Sequence, residues 1–133
     1  MTVIRWVLSV ASPVLALLLT FAAAVLFTYG IERLCPPEFM VSGVCTAAWY
    51  PAAETAAFCL SAAIGGFLFV LLPTKLAPSH PHRVAWLAFG AGVTYATLFL
   101  SNAGLSIIGP YASSVGGGML ATFLVHRRAA NAA

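Results

Sequence analysis

Four apolar stretches separated by three short polar breaks set the pattern of this chain. Between Arg5 and Glu32 no residue is charged, and the run from Trp6 to Tyr29 is dominated by Leu, Ala, Val and Phe. A bilayer-crossing helix needs roughly 20 largely apolar residues, so this run predicts a first span over 6–29. The run passes the small residues Ala22, Ala23 and Ala24 and continues through Val25, Leu26 and Phe27. That length suits an uncleaved helix better than the apolar core of a secretory signal. Pro13 lies in the first third of the span. It removes one backbone donor, which predicts a kink or a freed carbonyl that a neighbour must satisfy.

An outer loop over 30–50 follows, and the consecutive Pro36 and Pro37 predict that it turns without regular helix. Trp49 and Tyr50 mark the return to the membrane, since such rings concentrate at headgroup level. Pro51 suits a first helical turn, and the second span is expected over 51–72. Pro73, Thr74, Lys75, Pro78, His80, Pro81, His82 and Arg83 predict an inner loop over 73–83. From Val84 to Val125 no charge occurs, which is too long for one helix. Asn102, Ala103 and Gly104 supply helix-terminating residues and Pro110 a restart, giving spans over 84–102 and 109–125. The last is the shortest, a little under a hydrocarbon core of roughly 30 Å, with Arg127 and Arg128 able to snorkel at its end.

Composition turns this pattern into a fold class. Of 133 residues 62% are hydrophobic and 7% charged, far below the roughly 25% charge of a solvated domain. The expectation is an all-α polytopic membrane protein, one domain over 1–133, built as a four-helix bundle in the lipid bilayer. The charges then fix its threading. Arg5, Lys75, Arg83, Arg127 and Arg128 fall on one side of four spans, against Arg33 with Glu32, Glu38 and Glu54 on the other. The positive-inside rule puts both termini in the cytoplasm, and the expected site is a bacterial-type inner membrane. Because the basic residues flank spans and form no soluble face, no nucleic-acid partner is expected.

Lipid gives helices no hydrophobic reason to associate, so small residues must allow close approach. Ala57, Ser61 and Gly65, with Ala62 and Gly66 beside them, supply this in the second span. Ala88, Gly92 and Ala96 do so in the third, and Ser113, Ser114, Gly116, Gly117 and Gly118 in the fourth. Packing within the bundle, a homodimer seam or a ligand passage would use the same residues.

Candidate chemistry is sparse. Cys35 and Cys45 lie in the outer loop, where disulfides persist, and predict a structural disulfide; a redox-active Cys-x-x-Cys is absent. Cys59, within the second span, reads as a small hydrophobe. Glu54 has two accounts. An ionisable group at membrane depth is a candidate site for a cation or proton at the outer mouth, whereas in a first helical turn the macrodipole also favours a carboxylate. Arg33, Asn102 and Tyr111 are the groups expected to satisfy it. His80, His82 and His126 fall on the inner side, too weak a pattern for a metal site, and no histidine within a span could serve as a haem ligand. No phosphate loop or nucleophile elbow occurs, and no cofactor is expected.

Two four-span families are set aside on residues. Membrane thiol oxidoreductases need a Cys-x-x-Cys, and small multidrug-resistance transporters an acid within the first span; neither is present. The leading expectation is a non-enzymatic membrane subunit or interaction protein that docks on a membrane-protein partner or a second copy. A small-solute or ion transporter centred on Glu54 is the rival, and a thiol–disulfide oxidoreductase using Cys35 and Cys45 the third reading.

Overall fold

The structure, a computed structural model, describes residues 2–77 and 79–131. Four helices dominate it: α1 (Thr2–Arg33), α2 (Tyr50–Leu76), α3 (Pro81–Ala103) and α4 (Ile108–Ala130), each long and apolar enough to cross a membrane. Residue pairs between neighbours give their directions. Ser9 meets Pro73 and Thr20 meets Gly65, so α1 is antiparallel to α2. Thr97 meets Tyr111 and Phe89 meets Gly118, so α3 is antiparallel to α4. Cys59 lies by Gly109 and Val70 by Ala121, which makes α2 and α4 parallel. The bundle therefore runs up-down-up-down. Arg5, Lys75, Arg83, Arg127 and Arg128 collect at one end, here the basic end; Glu32, Glu38 and Glu54 lie at the opposite, hairpin end.

Several boundaries differ from those expected. The helix expected over 6–29 extends to Arg33, so the outer loop begins only at Leu34. The inner loop expected over 73–83 is mostly helical: α2 runs through Pro73 to Leu76 and α3 starts at Pro81, leaving 77–80 as the connection. Pro78 lies outside the described residues. A proline deletes only one intrahelical bond, here that to the Phe69 carbonyl, and the Pro73 carbonyl still accepts the Ala77 N–H at 2.9 Å, so the helix continues past it; the Ser9 hydroxyl donates to the same carbonyl at 3.0 Å. The fourth helix does not fall short. α4 continues through Arg127 and Arg128, and at 1.5 Å per residue its 23 residues span roughly 35 Å.

Pro13 leaves α1 continuous. It frees the carbonyl of Ser9, which accepts a 2.8 Å hydrogen bond from the Ser12 hydroxyl. Ser9, Ser12, Ala16 and Thr20, spaced three and four residues apart, form one small, mostly buried stripe against α2. Sequence reasoning missed this stripe although its spacing is helical. The Ser9 hydroxyl is the polar link across the pair, and interhelical bonds in membranes contribute about 0.6–2 kcal/mol. Ser9→Ala is expected to lower stability by about 1 kcal/mol in a mixed-micelle unfolding titration. An unchanged midpoint would show that the bond contributes nothing.

The loop expected to be irregular contains a 3₁₀ turn (Pro37–Phe39) and a small hairpin, β1 (Met40–Val41) and β2 (Val44–Cys45), pairing Met40 with Cys45 and Val41 with Val44. Ser42 (φ 52°) and Gly43 (φ 83°) close it, and positive φ at both central residues is what a tight type I′ turn demands. The expected Cys35–Cys45 disulfide is present, with Cα atoms 6.0 Å apart. It packs with Ile31, Ala47 and Tyr50 over the end of the bundle. Tyr50 is thus buried under the hairpin, and only Trp49, 42% exposed, has the openness expected of a headgroup-level ring. At the same end α3 stops at Gly104, whose φ of 78° suits glycine and whose N–H bonds the Leu100 carbonyl at 2.9 Å. A 3₁₀ turn (Leu105–Ile107) leads into α4, so Pro110 falls after the helix start.

α2 is the hub. It packs along α4 and α1 and, over a shorter stretch, along α3, which also rests on α4; α1 has no comparable contact with α3 or α4. The α2–α4 seam is close enough to exclude side chains. A Cβ on Gly66 would strike the Ser114 carbonyl, and one on Gly117 the Ala63 carbonyl. Two of the glycines expected to serve packing do so here. Gly116 faces open space.

Candidate functional site

α3 is held unevenly. Its one buried residue, Ala85, lies near its start and joins Val70 of α2 and Ala121 of α4, with Phe67, Phe89 and Val125 around them, in an apolar cluster at the basic end. Toward the hairpin end α3 carries no buried residue, and its polar tie to α4 there is the 3.2 Å contact between Thr97 Oγ1 and Tyr111 Oη. Because α1 leans only on α2, the space between α1 and α3 stays unfilled.

The result is a cleft of about 600 Å³ bounded by all four helices. This lies within the roughly 300–1,000 Å³ range of small-molecule sites. Small residues of α2 and α3, Ala62, Gly65, Gly92 and Ala96, make room for it, and rings at Phe21, Phe58, Phe99 and Tyr111 wall it. Among the described residues no Asp, Glu, Lys, Arg, His or Cys lines it. Its polar groups are hydroxyls, and several are already engaged: Thr20 donates to Ala16, Thr55 to Pro51 and Ser61 to Ala57 at 2.7–2.8 Å. Having donated, these hydroxyls keep acceptor lone pairs. The helical spacing of small residues was visible in the sequence. That part of this surface borders open space was not, since the same residues serve seams and cavities alike.

No protein-family model, no curated protein and no solved structure matches this chain. The functional reading therefore rests on the geometry of the site.

A second groove, of about 390 Å³, continues from the cleft toward the hairpin end. The two share Phe21, Ala24 and Phe58, and the groove adds Val25, Thr28, Tyr29 and Glu32. Glu32 was not singled out from sequence, because one acid in a loop gives no pattern. Its position here came from α1 running four residues longer than expected.

Among the described residues no hydrogen bond or ion pair joins Glu54 to Arg33, Asn102 or Tyr111. α2 starts at Tyr50, so Glu54 is its fifth residue and lies beyond the first turn, where the macrodipole is felt most. Arg33 is turned onto Tyr29, bonding its hydroxyl and lying 4.8 Å from the ring centroid. Asn102 donates to the Leu98 carbonyl at 2.7 Å, and Tyr111 meets Thr97. Arg33, the one basic residue of that end, bonds Tyr29, and among the described residues neither Glu54 nor Glu32 has an ion-pair partner. Glu54 does not line the cleft.

The remaining candidates lie apart. Cys59 is a free, half-buried thiol at the α2–α4 seam, where a Cβ on Gly109 would come within 3.3 Å of its sulfur. At the basic end the rings of His82 and His126 are 5.0 Å apart, and His82 Nδ1 is buried without a hydrogen-bond partner among the described residues. His80 sits in the connection with φ 53°. No group of three His, Cys, Asp or Glu with metal-binding geometry occurs among the described residues.

Proposed function

We propose that this chain is a non-enzymatic multi-pass membrane protein that works by binding, with the cleft between α1 and α3 as its docking element. The observation that carries the reading is the uneven anchoring of α3, fixed at the basic end and separated from α1 over the rest of its length. An apolar molecule gains little from leaving lipid, so it must be held by shape and dispersion contact. A walled cleft with small residues at its base offers both. The charge split between the two ends supports a threading with both termini in the cytoplasm of a bacterial-type inner membrane. A transporter centred on Glu54 has less support, since that residue stands outside the cleft. The redox reading has less too: Cys45, 5% exposed, is packed against Ala47 and Tyr50, where a partner thiol has little access.

Ala96 lines the cleft from α3, so Ala96→Trp fills it from one wall. Wild type and variant, tagged at the C-terminus, are extracted from native membranes in mild detergent, and all co-purifying lipids, small molecules and proteins are identified. At least one molecule is expected to be retained by the wild type and reduced about tenfold in the variant, a loss of about 1.4 kcal/mol. Identical sets from both proteins would remove the cleft from the function.

A further inference from the structure

The cleft has a polarity along its length. Its deep part, at Val70, Phe89 and Gly118, lies next to the apolar cluster of the basic end, and its continuation at the hairpin end finishes on Glu32. A molecule filling both would carry its apolar body in the cleft and its head beside a carboxylate. Charge then selects the head. The one basic residue at that end, Arg33, is engaged by the hydroxyl and ring of Tyr29, leaving Glu32 without an ion-pair partner among the described residues. An anionic head would be repelled here. A cationic one would meet Glu32 together with the rings of Phe21 and Phe58, which attract positive charge as well as apolar surface.

We propose that the cleft and its continuation form one site for an amphiphilic cation, with the apolar body between α1 and α3 and the charged head beside Glu32. This deepens the binding function proposed above and rests on it. Size argues the same way: the volume suits a chain or a small ring system, whereas a helix of a partner, some 10–12 Å across with its side chains, needs far more room.

The test uses the full chain in phosphatidylcholine nanodiscs with three photoreactive probes that share one diazirine-bearing hexadecyl chain: a trimethylammonium, an alcohol and a carboxylate. Labelled residues are mapped by peptide mass spectrometry and expressed relative to lipid-facing Leu98. The cation is expected to label the cleft positions Phe21, Ala24, Ala96 and Phe99 about tenfold more than the carboxylate does, the scale of one partly screened charge contact. Glu32→Gln, an exposed change that leaves the packing intact, should bring that preference to within about twofold without moving the labelled positions. Ala96→Trp should abolish cleft labelling by all three probes.

Equal cleft labelling by the three heads, or a preference that survives Glu32→Gln, overturns the assignment of a cation while leaving the cleft as a binding element. Labelling confined to Leu98 and other lipid-facing positions overturns both readings.

Discussion

Gly117→Val is expected to unfold the bundle. A Cβ at this position would collide with the Ala63 carbonyl oxygen and lie 2.9 Å from its carbon, and backbone cannot swing aside as a side-chain tip can. α2 and α4 must then separate along the seam that joins the hub helix to its most extensive neighbour. Overpacking of a tight contact costs typically 1–3 kcal/mol, and here the upper value of about 3 kcal/mol or more applies because nothing flexible is available to yield. Gly66→Val should behave alike, since its Cβ meets the backbone of Ser114. Gly116→Ala is the control. It faces open space, and replacing a mid-helix glycine should raise stability by about 0.5–1 kcal/mol. Unfolding midpoints in mixed micelles, read by circular dichroism, decide the matter: a Gly117→Val protein as stable as the wild type would mean that the seam is wider than described.

Replacing Cys35 and Cys45 together by Ala should cost about 2–3 kcal/mol, the chain-entropy value for a short closed loop. The loss falls on the hairpin end, because the disulfide packs with Ile31, Ala47 and Tyr50 as one cluster. The double variant is expected to show faster proteolysis within 34–49 and lower thermal stability, with the helices otherwise intact. Alkylation of the wild type under denaturing, non-reducing conditions should find one free thiol, Cys59. Unchanged stability and proteolysis would show that the hairpin is held by its turn and by Tyr50 alone. A wild-type pair found reduced in native membranes would instead revive the redox reading.

Four helices long and apolar enough to cross a membrane were legible because crossing a bilayer imposes a local demand: roughly 20 apolar residues in succession, with charges only at the ends. Runs such as Trp6 to Tyr29 and Val84 to Val125 meet it whatever their neighbours do. The split of five basic residues against Arg33 could be read for the same reason, and the structure gathers the five at one end of the bundle. The disulfide followed from two cysteines in one short loop. Prolines were read too strongly, at Pro73 above all, since whether a helix survives one depends on who satisfies the backbone around it. At Pro73 the next bond, from the Ala77 N–H to the Pro73 carbonyl, forms all the same, and the Ser9 hydroxyl, 64 residues away, is a second donor to that carbonyl. The hairpin turn was hidden because Ser42 and Gly43 are flanked by strands of only two residues each.

The site lay beyond the reach of sequence for a more general reason. Ala62, Gly65, Gly92 and Ala96 could equally seal a helix seam or border a cavity, and only the mutual placement of helices chooses between these. Glu54 stood out because acids are rare in such a chain, yet the groups expected around it found other partners on their own helices or across the bundle. Glu32 carried no sequence signal and gained one only when α1 brought it to the end of the groove. Sequence determined the number of long apolar helices and the charges at their ends, because each is set by residues adjacent along the chain. Tertiary structure alone decided that α1 rests on α2 while α3 is anchored at one end. That choice depends on which small residues interlock, a contact between distant segments that no local pattern encodes, and it is what leaves the cleft open.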